Sequence, residues 1–250
     1  MSDPIGSLAW TQLTGGQLTF AEKLALVRVI LPPLTVGLAR SWLRLGHPRA
    51  LDIETIRVPD SALAKRALDT IEACASPALL QHSWRTYFWG AAFGALDGVR
   101  HDAELLLIGS LLHDLGATAH YHGGQDCHCF TLDSARAALQ WSRDNALPEK
   151  RALALGDMIT RHMNGHASPA DGAEARLLQQ GATCDVIGVR YRELDPRFTG
   201  RILETHPRLG FNREFLGFLE REATLRPRSR TALLMSTGLG LLIRTNPFGE

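Results

Sequence analysis

The stretch LLLIGSLLHDLGAT, residues 105–118, reads as an almost wholly apolar helix until it reaches His113 and Asp114, with Gly116 placed to stop it. Such a run belongs in a core. An imidazole and a carboxylate at its end must find partners there, because burying two polar groups without them is costly. Either other protein groups or a metal ion must satisfy them.

The rest of the chain predicts more helices to build that core. No sustained period-two alternation and no Asn-Gly or Asp-Gly hairpin between β-branched runs is present. Pro59, Asp60 and Ser61 start a helix that places Leu63, Ala67, Leu68 and Ile71 on one face. Ser76 caps the next, with Pro77 at its first position and an end near Gly98. Further helices are expected over TLDSARAALQWSRDNA, from Pro148, and over ADGAEARLLQQGATCDVIG, the last with a break at Gly181. Phe211, Phe215, Phe218 and Leu219 fall on one side of another. The expectation is an all-α bundle: one domain over residues 56–250 preceded by an N-terminal helical extension over 1–55.

Composition narrows the function classes. A net charge of +1 gives no global basic field, so nucleic acid is not the expected partner. Four cysteines, Cys74, Cys127, Cys129 and Cys184, are too few for a disulfide-stapled scaffold of this length. A reducing, cytoplasmic setting fits them, and the N-terminus lacks the pattern of a secretory signal. Segment 24–45 is strongly apolar, but Arg28, Arg40, Arg44 and Pro32-Pro33 interrupt it. It reads as two short helices meeting at the prolines rather than as a membrane span. Together with the apolar stretch 231–243 it predicts packing on the core or on a second copy in a homo-oligomer.

The polar residues set inside apolar helices carry the chemistry. His82 lies in LLQHSWRTYFWG, His113 and Asp114 in LLHDLG, and Asp185 in GATCDVIG. Three apolar helices that each offer an imidazole or a carboxylate inward describe a metal site between helices. Two imidazoles with two carboxylates suit a borderline divalent ion such as zinc, iron(II) or manganese, and suit calcium poorly.

The ordered set HSWRTYFWG, LLIGSLLHDLG, CFTLDSARAA, MITRHMNGH and GATCDVIG resembles the HD superfamily of metal-dependent helical hydrolases, and within it the cyanamide hydratase-like branch. The likeness runs over roughly residues 59–226. It implies an HD-domain bundle in which His82, His113, Asp114 and Asp185 hold one divalent metal, zinc foremost. It also implies that His162 faces the substrate or an outer shell. One departure stands out: Thr131 and Ser134 occupy positions where fungal cyanamide hydratases carry a glutamate and a glycine.

The expected activity is metal-dependent hydration or hydrolysis of a small nitrile-like molecule. Asp114 and then His162 would handle the proton, and Arg85, three residues beyond His82, would clamp either substrate or a carboxylate. The rival is an HD-type phosphohydrolase acting on a nucleotide or other phosphate ester, for which Arg85, Arg161 and Arg190 would supply the cations. Two metal alternatives remain at this stage. His120, His122, Cys127, His128 and Cys129 could bind a separate zinc, and His128, His162 and His166 could hold a second ion beside the first.

Overall fold

The computed structural model describes residues 3–42, 47–123, 129–166 and 168–250. Every regular element among them is a helix: α1 Leu8–Thr14, α2 Phe20–Trp42, α3 Ala62–Glu72, α4 Pro77–Asp97, α5 Ala103–Leu112, α6 Phe130–Asp144, α7 Glu149–Arg161, α8 Ala173–Ile187, α9 Pro196–Thr205, α10 Phe211–Leu225, α11 Arg230–Ser236 and α12 Leu239–Arg244. The expected all-α architecture is therefore observed. The polar starts anticipated from the sequence act as caps. Ser61 accepts from the Ala64 amide and Ser76 from the Leu79 amide, and α4 ends at Gly98 in the left-handed region, with φ of 65°.

The apolar run 105–112 forms the centre of the main core. Leu106, Leu107, Ile108, Leu111 and Leu112 are buried, packed by Ile71 of α3, Phe93 of α4, Leu155 and Ile159 of α7, and Leu177 of α8. A second cluster, including Leu79, Met163, Phe211, Phe215 and Leu219, lies beneath α10 and α12. His82 stacks on Phe211 of that second cluster, while Leu112, in the main core, leads directly into His113. The polar pair at the end of α5 thus faces the seam between two apolar clusters.

Three local expectations need correction. First, α5 ends at Leu112 rather than running on to Gly116: His113 caps it and a short 3-10 turn follows over Leu115–Ala117. Gly116 serves packing, since a Cβ there would lie 2.1 Å from the Phe130 carbonyl oxygen. Second, Gly181 does not break α8. A Cβ on it would lie 2.2 Å from the carbonyl oxygen of Thr86, so the missing side chain lets α8 cross α4 at close range. Gly90 repeats the device from the other side, 2.7 Å from the Leu177 carbonyl oxygen.

Third, α2 is one helix through Pro32-Pro33. Proline's fixed φ is itself helical, and Leu26 and Ile30 anchor the helix on Trp10, Leu18 and Leu233 despite the two lost amide donors. Leu24, Val29, Leu31 and Val36 of α2 stay exposed. Arg44 and the end of segment 24–45 lie outside the described residues. No helix among the described residues is long and apolar enough to cross a membrane.

The N-terminal segment is stitched to the remainder. Leu8 joins the main core and its amide donates to Asp157 of α7 at 2.9 Å. The Leu18 amide donates to the Arg228 carbonyl at 2.8 Å, and the Arg49 amide to that of Glu193 at 3.0 Å.

The α4–α8 crossing yields a prediction. Gly181→Ala sets a methyl against backbone that cannot rotate away, so it is expected to cost at least the ~1–3 kcal/mol typical of overpacking. Denaturant unfolding measures this. Unchanged stability would show that the two helices are not locked at this point.

Candidate metal centre

Four elements deliver the site. His82, Arg85 and Trp89 lie on one face of α4, and His113 and Asp114 form the turn that ends α5. Asp114 has φ of −110° and ψ of 20°, close to the bridge region common at functional turns. His162 follows the last residue of α7, and Asp185 sits in the last turn of α8. All are buried.

Each of three imidazoles spends its Nδ1 hydrogen outward. His82 Nδ1 is 2.7 Å from Asp185 Oδ2, His113 Nδ1 is 2.8 Å from the Ser110 carbonyl, and His162 Nδ1 is 2.6 Å from the Ile159 carbonyl. That tautomer leaves every Nε2 as a lone pair. The three Nε2 atoms converge on Asp114. His113 Nε2 lies 3.2 Å and His82 Nε2 3.6 Å from Oδ2, while His162 Nε2 lies 3.4 Å from Oδ1. The Nε2 atoms of His82 and His113 are 3.3 Å apart.

Neither oxygen of Asp114 has a hydrogen-bond partner, although both are buried. A carboxylate facing three imidazole lone pairs is repulsive unless a cation sits among them. The ligand atoms of His82, His113 and Asp114 lie within 4.8 Å of one another, and no other such group occurs among the described residues. Three protein ligands from nitrogen and oxygen fit a divalent metal with open positions, the composition of a catalytic rather than a structural site.

Residues 79–194 match the HD domain family. That span contains all of the residues just described, the adjacent pair His113-Asp114 among them. HD domains bind divalent metals, and members of the superfamily are generally metal-dependent hydrolases. No curated protein matches the chain.

Within the matched span, Asp185 stands apart from the converging atoms. It lies behind His82 and accepts from Arg85 Nε at 2.7 Å, Arg85 Nη2 at 2.9 Å, Trp89 Nε1 at 3.0 Å and Arg208 Nη1 at 3.2 Å. In this position it fixes the tautomer and orientation of His82, the role that carboxylates play behind metal-bound histidines. Arg85 is fully buried and does not face the cavity. Its remaining nitrogen, Nη1, donates to the His206 and Pro207 carbonyls.

Electrostatics follow the same geometry. Burial opposes the charge on Asp185, but Arg85, His82 and Arg208 hold its carboxyl well below the usual range. Burial likewise opposes ionisation of Asp114, which His113 and His162 more than offset. Burial pushes His82 down to about 4 and also lowers His162. For His113 burial is overcome by Asp114 and the imidazole is raised.

A cavity of about 80 Å³ opens onto His82, His113, Asp114 and His162. Its other walls are apolar apart from Thr183 and Thr237, and no lysine or arginine lines it among the described residues. Thr131 lies away from it, accepting from the buried Arg230 at 2.9 Å. Ser134 holds the Gly116 amide at 2.8 Å. Of the suggested separate zinc loop, His120 is exposed, His122 contacts Glu222, and Cys129 faces Thr131. Cys127 and His128 lie outside the described residues. His166 is half-buried and does not join the His82–His113–Asp114 group.

Nothing in the sequence marks Arg208 or Trp89 as part of the site. Arg208 sits in the loop before α10 with no local pattern to mark it, and the indole of Trp89 gains its polar role only through Asp185.

Two predictions follow from this geometry. Asp185→Asn leaves Arg85 and Arg208 without their buried anion, and is expected to cost on the order of 3–5 kcal/mol in denaturant unfolding. It should also weaken metal affinity about 10–100-fold through His82. The second concerns pH. His206, like His82, is lowered to about 4, chiefly by burial and then by Arg85. Both stay neutral in the folded metal-free protein while the unfolded chain protonates them near 6.5. Between those values the unfolded state binds more protons, so stability present above pH 6.5 is lost as pH falls toward 4. His113 acts oppositely, adding stability below 6.5 that is lost as pH rises through its raised value. Unfolding midpoints of the metal-free protein should fall on acidification from pH 6.5 to 4, with a smaller slope in His82→Asn. Midpoints that rise over this window would contradict the assignment.

Proposed function

We propose that this HD domain uses a divalent metal, with zinc foremost and iron(II) or manganese as alternatives, to add water to a small uncharged substrate of the nitrile type. The observation that carries the reading is the pairing of the converging His82, His113 and Asp114 with a cavity that no lysine or arginine lines among the described residues. The resemblance of the ordered motifs to the cyanamide hydratase-like branch supports the nitrile class.

A metal held by His82, His113 and Asp114 would supply an acidified water near neutral pH. Asp114 has a second oxygen to hold one proton of the attacking water. His162, 3.4 Å from that oxygen and kept neutral by burial, can take the proton and return it to the substrate nitrogen. The carbon–oxygen bond forms as one bond of the triple bond opens onto nitrogen, and a second proton shift gives the amide, or urea from cyanamide. No redox partner is required. Arg85 acts through Asp185 as a positioning residue. The apolar walls exclude competing water.

The phosphohydrolase reading draws less support. Its three candidate cations are already engaged: Arg85 by Asp185, Arg161 by Asp157 and Asp171, and Arg190 by Asp97 and Glu193.

The test is amide or urea formation by protein loaded with zinc, iron(II) or manganese. Activity is expected to vanish on chelation and in Asp114→Ala. His162→Gln should retain metal and lose about 10²–10⁴-fold in kcat. Bound metal with turnover of phosphate esters and none of nitriles would overturn the proposal.

A further inference from the structure

The cavity admits more than the three heavy atoms of cyanamide. Its volume is about 80 Å³, and at the roughly 10–15 Å³ that one water needs on that measure it takes about five to eight water-sized groups. Six of its apolar wall residues, Ile30 of α2, Phe215 and Leu219 of α10, Leu234 of α11, and Leu239 and Leu242 of α12, lie outside residues 79–194. Met163, Ala182, Val186 and Ile187 complete the apolar wall from within that span.

The chemistry of that wall is one-sided. Leu234, Leu239 and Leu242 are only half-buried, so apolar surface remains for an occupant to cover. Among the described residues the only hydroxyls on it are those of Thr183 and Thr237, and no cation there would meet an anionic tail. We infer that the substrate is an uncharged molecule with an apolar body of several carbons, seated between α2, α10 and α12 with its reactive head at Asp114 and His162. This rests on the proposed hydration for the nature of the head, but the apolar body is argued from the wall alone.

The test is a calorimetric titration of straight-chain nitriles, from acetonitrile to octanenitrile, into the full chain with and without zinc. The expected result is tightening by about fourfold in Kd per added methylene, the equivalent of ~0.8 kcal/mol, in both forms of the protein. Leu239→Trp, which narrows the far wall, should shift the chain length of tightest binding downward. A Kd independent of chain length in the wild-type protein would overturn the inference, even if urea formed from cyanamide. Tightening with chain length but no amide at any length would keep the apolar-body assignment and overturn the hydration reading.

Discussion

The carboxylate of Asp185 is the tie on which the site depends. It gathers Arg85, Trp89 and His82 from α4 and Arg208 from the loop before α10, and it is itself carried by α8. A buried ion pair of this kind contributes little net stability, because desolvation offsets most of the attraction. Its effect is orientation. With Nδ1 of His82 held by Asp185, Nε2 has one direction left, and that direction is toward Asp114.

Backbone contact sets the spacing that makes this possible. Gly90 and Gly181 bring α4 and α8 close enough for His82 and Asp185, on opposing helices, to meet at 2.7 Å. Gly116 does the same for the turn after α5, letting it rest on the first turn of α6. The imidazoles and carboxylates are therefore held on helices or on the buried turns that directly follow them, which suits a centre whose donor atoms are arranged before a metal arrives.

The division of labour within the chain has a consequence for specificity. The matched span carries the converging side chains and His162 together with Met163, Ala182, Val186 and Ile187 of the cavity wall, and the N-terminal helix α2 and the C-terminal helices α10 to α12 supply the rest. Substitutions in those added helices can therefore reshape the cavity without touching the converging atoms. The exposed apolar face of α2 begins on the same helix that sends Ile30 inward.

Local chemistry was readable along the sequence wherever a residue acts on its own neighbours. Ser61 and Ser76 cap the helices they precede, the run 105–112 is the core helix, and His82, His113 and Asp114 converge as their apolar settings implied. Residues whose role depends on what lies across a gap were not readable. Gly181 looks like a helix breaker until Thr86 is seen against it, and nothing near Asp185 in the sequence shows that Arg85, Arg208 and Trp89 surround it. Helix formation and capping are interactions over three or four residues, so the sequence by itself determined the helical class and the inward-facing polar set. The identity of each partner, the order of groups around the metal centre and the apolar character of the space before it involve residues a hundred positions apart. Those only the tertiary structure decided.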